Sequence, residues 1–458
     1  MPTLTFLGAA QTVTGSKHLV STGSHQVLID AGLFQGQKEL RLRNWADLPM
    51  PARDIDAIVL THAHLDHVGY LPRLVAQGFR GRVFCTPGTL DLARLVMTDA
   101  AHLQEEDARQ ANREGYSRHH PALPLYTVAD AWRAISQLQP LGYDRPVNVV
   151  PGVEISYVPV GHLLGAAAVQ MTLAGGKRVV FGGDLGRYHR PVLQDPRSIP
   201  AADVLLVEST YGDRIHEPDD DGERLSAIIK DTAAAGGRVI IPAFAIGRVE
   251  EVLYWIKKLE DEQRIPILPV YLDSPMANDA LEFYGNRARE LDPAFLENGG
   301  RLAGFMTRRF TSVTSTQQSK DVTRSTKSAI VISASGMATG GRVLHYLRAT
   351  LPDPRNTILF VGYQAAGTRG RQLVDGIKQV KIHGRFIDVH ARIERLDSMS
   401  AHADAAEIVK WLTGFTQPPQ ITYIVHGEPP AQAALALRIK TELSWKTHAP
   451  AQGEAVDL

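Results

Sequence analysis

Apolar residues occur along this chain mainly in short runs, each bounded by glycine or polar turn residues. Near the N-terminus such runs cover residues 4–8, 17–20 and 26–30, and they predict buried strands. Residues 90–113 lack Gly and Pro and are rich in Ala, Leu, Gln and Glu, which predicts a long helix. Strands return at 155–160 and 177–181. This alternation predicts a layered α/β fold.

A second region with the same alternation begins near residue 210. Helices are predicted over 248–260, over 281–290 and from about residue 342, and strands over 237–242, 265–272, 328–333 and 357–361. This order indicates a small, mostly parallel sheet. Residues 311–327 are rich in Ser, Thr and Gln, and we predict that they form a surface excursion.

Composition limits the class of protein. A chain of 458 residues with 44% hydrophobic and 21% charged residues is typical of a globular enzyme with two or three domains. No apolar run reaches the roughly 18 residues of a membrane span, and the N-terminus lacks the pattern of a secretory signal. The single Cys85 cannot form an intrachain disulfide. We therefore predict a cytoplasmic protein without a membrane partner.

Charge and glycine patterns say little about ligands. The formal net charge is zero, which neither indicates a nucleic-acid partner nor excludes one, because a local basic groove is sufficient for binding. The glycine-rich fingerprints of dinucleotide and ATP sites are missing from the sequence. We therefore predict no nucleotide cofactor.

The richest chemical signal is the stretch 61–67, Thr-His-Ala-His-Leu-Asp-His, directly after the apolar run 58–60. It contains His62, His64, Asp66 and His67 between a predicted strand and a predicted helix. Crowded imidazoles repel one another when protonated, whereas imidazole and carboxylate together suit zinc or a similar divalent metal. The alternative is a solvated histidine-rich loop, and the carboxylate inside the cluster favours the metal.

Three more candidate ligands follow predicted strands: His162, Asp184 and His426. A single histidine at a strand end is more often a hydrogen-bonded surface residue than a ligand. Together, however, the three form a coherent set, because the carboxyl ends of neighbouring parallel strands converge at one sheet edge.

These motifs resemble a known superfamily. The stretch 61–67, then Gly161-His162, then Gly182-Gly183-Asp184, resembles the metallo-β-lactamase signature. Further motifs, around Glu208, His402 and His426, resemble the β-CASP nuclease branch, and the match covers nearly the whole chain in order. The resemblance implies an αββα metallo-β-lactamase domain from residues 1–209 and 395–458, with an α/β β-CASP domain, 210–394, inserted between them.

The resemblance also implies roles for the metal ligands. His62, His64 and His162 would bind one Zn²⁺, and Asp66, His67 and His426 a second, with Asp184 bridging the two; Mn²⁺ is the alternative metal. Asp66 would also orient the attacking hydroxide. Asp30 would hold a histidine ring by its free N–H, although a turn carboxylate before Ala31 is the simpler interpretation.

The resemblance also implies which residues assist the leaving group and which contact the substrate. Glu208 would keep His402 protonated as the acid for the departing 3′-oxygen; the alternative is that His402 is an ordinary residue at a helix start. Phosphate contacts are expected from the turn containing Ser333, Ser335 and Gly336, and from Arg369, although the turn could be an ordinary loop and the arginine merely solvated. The remaining histidines, His383 among them, are interpreted as structural or surface residues.

The function that follows from the resemblance is a zinc-dependent, two-metal ribonuclease that cuts single-stranded RNA, and an endonucleolytic mode is favoured. His426 favours the RNA-processing branch over DNA-repair relatives, and the chain looks like a minimal bacterial form, similar to the nuclease subunit of mRNA 3′-end cleavage. The alternatives are a hydrolase of lactams, thioesters or lactones, and a non-catalytic RNA-binding scaffold. Exonuclease action from the 5′ end, cleavage of single-stranded DNA and a homodimeric state stay open.

Overall fold

The computed structural model of the protein describes residues 1–115, 117, 119–218, 220–297, 299–362, 364–365 and 367–458. It divides into two compact units. Unit 1 contains residues 1–189, 194–215 and 402–458, and unit 2 contains residues 190–193 and 216–401. In the described part of the chain, no helix combines the length and the apolar character that a membrane crossing requires.

Unit 1 begins with strands that alternate with helices. The strands are β1 (Thr3–Phe6), β2 (His18–Ser21), β3 (Gln26–Ile29), β4 (Ala57–Val59), β5 (Arg82–Cys85), β6 (Leu138–Pro140), β7 (Val147–Val150), β8 (Val153–Pro159), β9 (Ala167–Leu173), β10 (Arg178–Phe181) and β11 (Val204–Val207). The helices are α1 (Lys38–Arg43), α2 (Leu65–Val68), α3 (Leu71–Ala76), α4 (Pro87–Glu114) and α5 (Val128–Ile135). The long α4 starts at a proline and is capped by the Thr86 hydroxyl, which accepts from the Thr89 amide.

Unit 2 is built around one parallel sheet, in the order β14-β13-β15-β12-β16-β19. Its strands are β12 (Val239–Pro242), β13 (Val270–Asp273), β14 (Phe310–Ser312), β15 (Ile330–Ser333), β16 (Thr357–Phe360) and β19 (Arg392–Arg395), and β17 (Gln379–Ile382) with β18 (Arg385–Asp388) forms a separate hairpin. The helices are α6 (Glu223–Ala234), α7 (Arg248–Asp261), α8 (Pro275–Asn286), α9 (Pro293–Glu297), α10 (Thr316–Arg324), α11 (Val343–Thr350) and α12 (Arg369–Val374). Strands β12, β15 and β16 are buried at every position, as expected where helices cover both faces of a parallel sheet.

The chain then returns to unit 1 through α13 (Ala405–Leu412), β20 (Ile421–Ile424), α14 (Pro429–Leu443), β21 (Thr447–His448) and β22 (Ala455–Asp457). These strands complete two sheets, ordered β22-β1-β2-β3-β4-β5-β6 and β21-β20-β11-β10-β9-β8-β7. One apolar cluster joins their inner faces, including Phe6, Val59, Tyr157, Phe181 and Leu206. The two stacked sheets with their helices agree with the layered α/β fold that the sequence predicts.

Most predicted elements are present, and the structure refines two of the predictions in unit 2. Residues 311–327 are mostly exposed, as predicted for a surface segment, and they contain the end of β14 and helix α10. Ser315 and Gln318 form a capping box there, so the polar residues start a helix. The strand predicted over 265–272 is confined to β13, because Pro266 and Pro269 cannot donate ladder hydrogen bonds.

Candidate metal centre

The predicted ligands all lie in unit 1, at the carboxyl ends of its strands. His62 and His64 follow β4, and Asp66 and His67 lie in the short helix α2. Residues after β8, β10 and β20 complete the set: His162, Asp184 and His426. Strand β11 pairs in parallel with both β10 and β20, so those two strands end at the same edge of the sheet. The apolar runs thus bring together ligands that are far apart in sequence.

The loop after β3 packs tightly against α2. Ala31 donates its amide to the His67 carbonyl at 2.7 Å, and Ser16 donates to the Asp66 carbonyl at 2.9 Å. A β-carbon on Gly32 would lie 1.6 Å from the Asp66 carbonyl oxygen. Glycine is therefore required at this position for the backbone that carries Asp66 and His67 to approach so closely.

One group of ligand atoms consists of His62, His64, His162 and Asp184. The Nδ1 atom of His64 lies 3.1 Å from Nε2 of both His62 and His162. Asp184 Oδ2 lies 3.4 Å from His62 Nε2 and 3.6 Å from His162 Nε2. Four donor atoms from three parts of the chain therefore face one point.

A second group consists of Asp66, His67 and His426. His426 Nε2 lies 3.2 Å from His67 Nε2 and 3.3 Å from Asp66 Oδ2. The other oxygen of Asp184, Oδ1, is 3.3 Å from His67 Nε2. The carboxylate of Asp184 thus directs one oxygen toward each group.

These distances fit metal coordination better than direct hydrogen bonding. Atoms that bind a tetrahedral zinc ion at about 2.0–2.1 Å lie about 3.3–3.4 Å from one another, close to the separations in both groups. Asp184 Oδ1 is buried and has no hydrogen-bond partner among the described residues. An unsatisfied buried carboxylate oxygen needs a cation or a donor, so the residues present fit a divalent metal.

Electrostatics divide the histidines into two sets. Burial, assisted by His62, lowers the pKa of His64 to about 3, and burial likewise lowers the pKa of His62 and His162. Neutral imidazole is the form that binds metal. Burial opposes protonation at His67 and His426 as well, but nearby carboxylates together outweigh it and raise the pKa of both rings: Asp184 and Asp30 at His67, and Asp184 and Asp66 at His426. The carboxylates therefore make this half of the centre attractive to positive charge.

Asp30 lies behind the second group, beside the His67 ring. Its Oδ2 is 2.7 Å from His67 Nδ1, on the side of the ring opposite the ligand nitrogen. The backbone amide of Thr61 donates to Asp30 Oδ1 at 2.8 Å, and its hydroxyl donates to Oδ2 at 2.9 Å. The same hydroxyl lies 3.0 Å from His62 Nδ1. Thr61 and Asp30 together hold the outer nitrogens of two ligand rings.

Sequence reasoning missed Thr61 and Thr210 as supporting residues. Thr210 Oγ1 lies 3.2 Å from His426 Nδ1. Both threonines stand inside the motifs that carry the resemblance, but a hydroxyl one or two positions from a histidine or glutamate has no distinctive spacing. Only the fold shows which ring each hydroxyl contacts.

Glu208 and His402 form a separate pair beside the ligands. His402 Nδ1 lies 3.1 and 3.2 Å from the two Glu208 oxygens. Glu208 is fully buried and accepts from the backbone amides of Leu185 and Thr210 at 2.7 and 3.3 Å. Burial alone would lower the pKa of His402, but attraction to Glu208, with smaller help from Asp184, raises that pKa to about 9. These carboxylates, Glu208 above all, favour the protonated form of the His402 ring.

The residues predicted to contact phosphate lie in unit 2. Ser333 is fully buried, and its hydroxyl donates to the Asp273 carbonyl at 2.9 Å, so this side chain holds the end of β15. Ser335 is partly exposed and accepts from the Thr339 amide at 3.1 Å. Gly336 packs on Phe244, where a β-carbon would lie 2.8 Å from the Phe244 nitrogen.

Arg369 is also engaged with backbone. Its Nε donates to the Lys381 carbonyl at 2.9 Å, and its Nη1 donates to the carbonyls of Ala338 and Thr339. Positions 363 and 366, shortly before Arg369, lie outside the described residues. Arg369 thus joins the loop after β15 to strand β17.

Three domain families match the sequence, in chain order. A beta-lactamase superfamily domain matches residues 25–242, a Beta-Casp domain matches 249–373, and a Zn-dependent metallo-hydrolase RNA specificity domain matches 387–450. The last description, together with the two groups of His and Asp atoms, supports a metal site in unit 1.

Similar proteins match along most of their length. The chain is 37% identical over 435 residues to the protein named Ribonuclease TTHA0252 of Thermus thermophilus, which covers 93% of this chain and 94% of that relative. It is 30% identical over 475 residues to the transcription termination factor FttA of Methanosarcina mazei, with coverage of 99% and 71%. A crystal structure of a protein of unknown function from Enterococcus faecalis V583 has the same fold, with a TM-score of 0.54, 15% identity and full coverage of both chains.

Proposed function

The chain belongs to the β-CASP family of the metallo-β-lactamase superfamily, and on this premise we propose that it is a zinc-dependent ribonuclease. The observation that carries the proposal is two groups of His and Asp ligand atoms, with one Asp184 oxygen near each and the Glu208–His402 pair beside them. The names of the relatives that match over most of the chain support RNA as the substrate.

We propose a centre for two ions, with the ligand partition that the resemblance implies. Bound divalent cations would lower the pKa of a water to near neutrality and neutralise charge on the scissile phosphate. His62, His64 and His162 would hold one ion, Asp66, His67 and His426 the other, and Asp184 both. Among these ligands, His64 and Asp66 are partly exposed, so substrate would approach on their side. From there the Asp66 carboxylate can orient the attacking oxygen.

His402 would supply the proton that the leaving group needs. The 3′-oxygen of a nucleotide is a poor leaving group, and a positioned acid assists its departure. Glu208 binds Nδ1 of the ring, which orients Nε2 as the atom that delivers the proton. The His402 side chain is 19% exposed whereas that of Glu208 is fully buried, consistent with one partner that meets substrate and one that supports it. We infer a product with a 5′-phosphate and a 3′-hydroxyl.

The alternatives lack this support. A hydrolase of lactams, thioesters or lactones is not what the matched domains and relatives favour, because their printed names refer to a ribonuclease, a Beta-Casp domain and an RNA specificity domain. A non-catalytic scaffold has no need of a complete ligand set, and every predicted ligand position is filled and brought together in unit 1.

The test is incubation of the zinc-loaded protein with unstructured RNA labelled at either end. Labelled products of intermediate length from both the 5′- and the 3′-labelled RNA would indicate endonuclease action, whereas immediate release of the 5′ label as a mononucleotide would indicate exonuclease action from the 5′ end. We expect Asp66→Asn to abolish cleavage and to leave RNA affinity largely unchanged, because affinity comes mainly from phosphate contacts outside the metal centre. Asp54→Asn, at an exposed aspartate in the same unit, is the matched control.

Two results would contradict the proposal. Hydrolysis of a lactone or thioester without RNA cleavage would favour the small-molecule enzyme. RNA binding without cleavage by the zinc-loaded wild type would favour the scaffold.

A further inference from the structure

We propose that the outer face of the β17–β18 hairpin, formed by Lys381 and Phe386, is a binding platform for single-stranded RNA. This inference rests on the proposed ribonuclease function and extends it to a surface of unit 2. Phe386 is 69% exposed, an unusual position for a large aromatic side chain. Lys381 is its directly opposite partner in the antiparallel register, so cation and ring stand side by side.

The hairpin is rigid enough to present these side chains. Its strands are joined by the two-residue turn His383-Gly384, and both residues have positive φ, 46° and 78°, as a tight hairpin turn requires. On the inner face, Val380 and Ile382 are buried in the apolar cluster of unit 2. This burial fixes the register, because a slip of one residue would expose the inner face and bury Lys381.

Basic side chains surround the platform, and Arg348 and Arg369 among them are positively charged. The rings of His345 and His383 lie 4.9 Å apart, and both residues are exposed. The pKa of His383 is lowered by partial burial and then by His345, Arg348 and Arg369, so these basic groups share one region. One carboxylate, Asp388, lies on the outer face, and it accepts from Gln379 Nε2 at 2.7 Å. The sign of the charge fits a phosphate backbone.

Arg369 connects the platform to the loop that is proposed to contact phosphate. Its guanidinium donates to the carbonyl of Lys381 on one side and to those of Ala338 and Thr339 on the other. Those two residues lie in the same loop as Ser335 and Gly336. A single-stranded RNA whose phosphates contact this loop would therefore also reach the hairpin, within unit 2.

RNA fits this surface better than another ligand class, because it has bases that complement the exposed ring and phosphates that complement the basic side chains. Bases stack on exposed aromatic rings without regard to sequence, and phosphates pair with neighbouring lysine and arginine side chains. The platform would thus bind nucleotides outside the scissile bond and contribute affinity without sequence preference.

The test compares Phe386 variants in binding and in turnover. Fluorescence anisotropy measures the affinity for unstructured RNA in the cleavage-deficient Asp66→Asn background. The RNA has about 30 nucleotides, which is longer than the segment that a typical stacking groove binds. We expect Phe386→Ala and Phe386→Leu to weaken binding about 5- to 100-fold and Phe386→Trp to retain it, because stacking needs an aromatic ring. In the active enzyme, Phe386→Ala should raise KM for the long RNA and leave kcat for a dinucleotide unchanged.

Lys381→Gln separates the charge from the ring. It should reduce the slope of log affinity against log salt by about 0.7, the value for one phosphate contact on a single strand. The matched controls are Lys230→Gln, at an exposed lysine of α6, and Leu437→Ala, at an apolar residue of α14 that is 65% exposed. Both controls should bind RNA like the parent protein.

The possible failures differ from one another. Unchanged affinity in Phe386→Ala, in an enzyme whose wild type cuts RNA, would overturn the platform and leave the proposed function intact. A Phe386→Ala variant that changes sedimentation mass but not RNA affinity would show that the face binds a second copy of the chain, which also overturns the platform. A wild type that neither binds nor cuts RNA would refute the proposed function, and this inference with it.

Discussion

His402 and Glu208 illustrate how one buried carboxylate determines the chemistry of its neighbour. Burial alone would favour the neutral imidazole of His402. The Glu208 carboxylate, 3.1 Å from His402 Nδ1, is the main cause that instead raises the pKa of His402 to about 9. The carboxylate is itself held by two backbone amides, which fixes its orientation. A protonated ring beside the proposed nucleophile suits a general acid and would serve a base poorly.

This assignment predicts a dependence on the leaving group. We expect His402→Ala to slow RNA cleavage by about 10²- to 10⁴-fold, the usual contribution of a general acid. A p-nitrophenyl phosphodiester should be slowed much less, because its leaving group departs as a stable anion. Glu208→Gln should act in the same direction, and the double variant should lose less than the product of the two effects. Rates for both substrates, measured at saturation, check the prediction.

The surface pair His448 and Glu454, with its nitrogen and oxygen 2.7 Å apart, provides a matched control. His448→Ala removes a partly exposed ion pair that includes none of the candidate ligands and should leave both rates unchanged. Equal slowing of both substrates by His402→Ala would instead indicate that the ring maintains the metal centre.

At the scale of elements, the sequence was most informative where strands are fully buried. Apolar runs such as 357–361 predict strands well, because their burial in a parallel sheet leaves no polar positions. The candidate ligands could be singled out from the sequence because they stand just after such runs, and the structure brings their side chains together. Thr61 and Thr210 could not be found, since their roles depend on ring orientations across the sheet edge. Helix α10 was missed because its capping residues were interpreted as loop composition.

Helix α7 contains a feature that pattern alone did not indicate. Glu250 is fully buried, and neither of its carboxylate oxygens makes a well-formed hydrogen bond among the described residues. Burial, only partly offset by the backbone amides of Gly247 and Glu250 and by Arg248, raises the pKa of Glu250 to about 8. The folded protein thus retains a proton at neutral pH that an unfolded chain releases.

The sign of the pH dependence follows from this difference. Because the folded pKa lies above the ordinary value of 4.5, the folded state binds more protons than the unfolded state between about pH 4.5 and pH 8. The contribution of Glu250 to the free energy of unfolding therefore falls as pH rises through that window, by on the order of 3–5 kcal/mol. Glu250→Gln should remove this fall and raise stability at pH 8.

Denaturant unfolding of wild type and Glu250→Gln at pH 5, 6.5 and 8 would measure the effect, with pH values spanning the titration window. Glu282→Gln, at an exposed position of α8, is the matched control and should follow the wild type. Parallel pH profiles for wild type and Glu250→Gln would show that the Glu250 carboxylate is stabilised in another way.

At the scale of the whole chain, the metal centre joins segments that are distant in sequence. His67 and His426 are 359 positions apart, and their ring nitrogens lie 3.2 Å from each other. Three of the ligands, His62, His67 and Asp184, are at most 1% exposed. A cation held by these groups would therefore cross-link the first and last parts of unit 1, and its binding free energy would add to the stability of the fold.

We accordingly predict about two zinc ions per chain, from the two ligand groups, and a fall in thermal stability on chelation. A free metal concentration 100 times the dissociation constant stabilises the fold by about 2.7 kcal/mol per site, so removal should lower the melting temperature by several degrees. Elemental analysis and calorimetry check both statements without reference to activity. Asp184→Asn should reduce the metal content below that of Asp54→Asn, because Asp184 has an oxygen toward each group. A wild type with one ion per chain, unaffected by changes at His426 or Asp66, would mean that the second group holds no metal and that a one-ion centre must perform the chemistry.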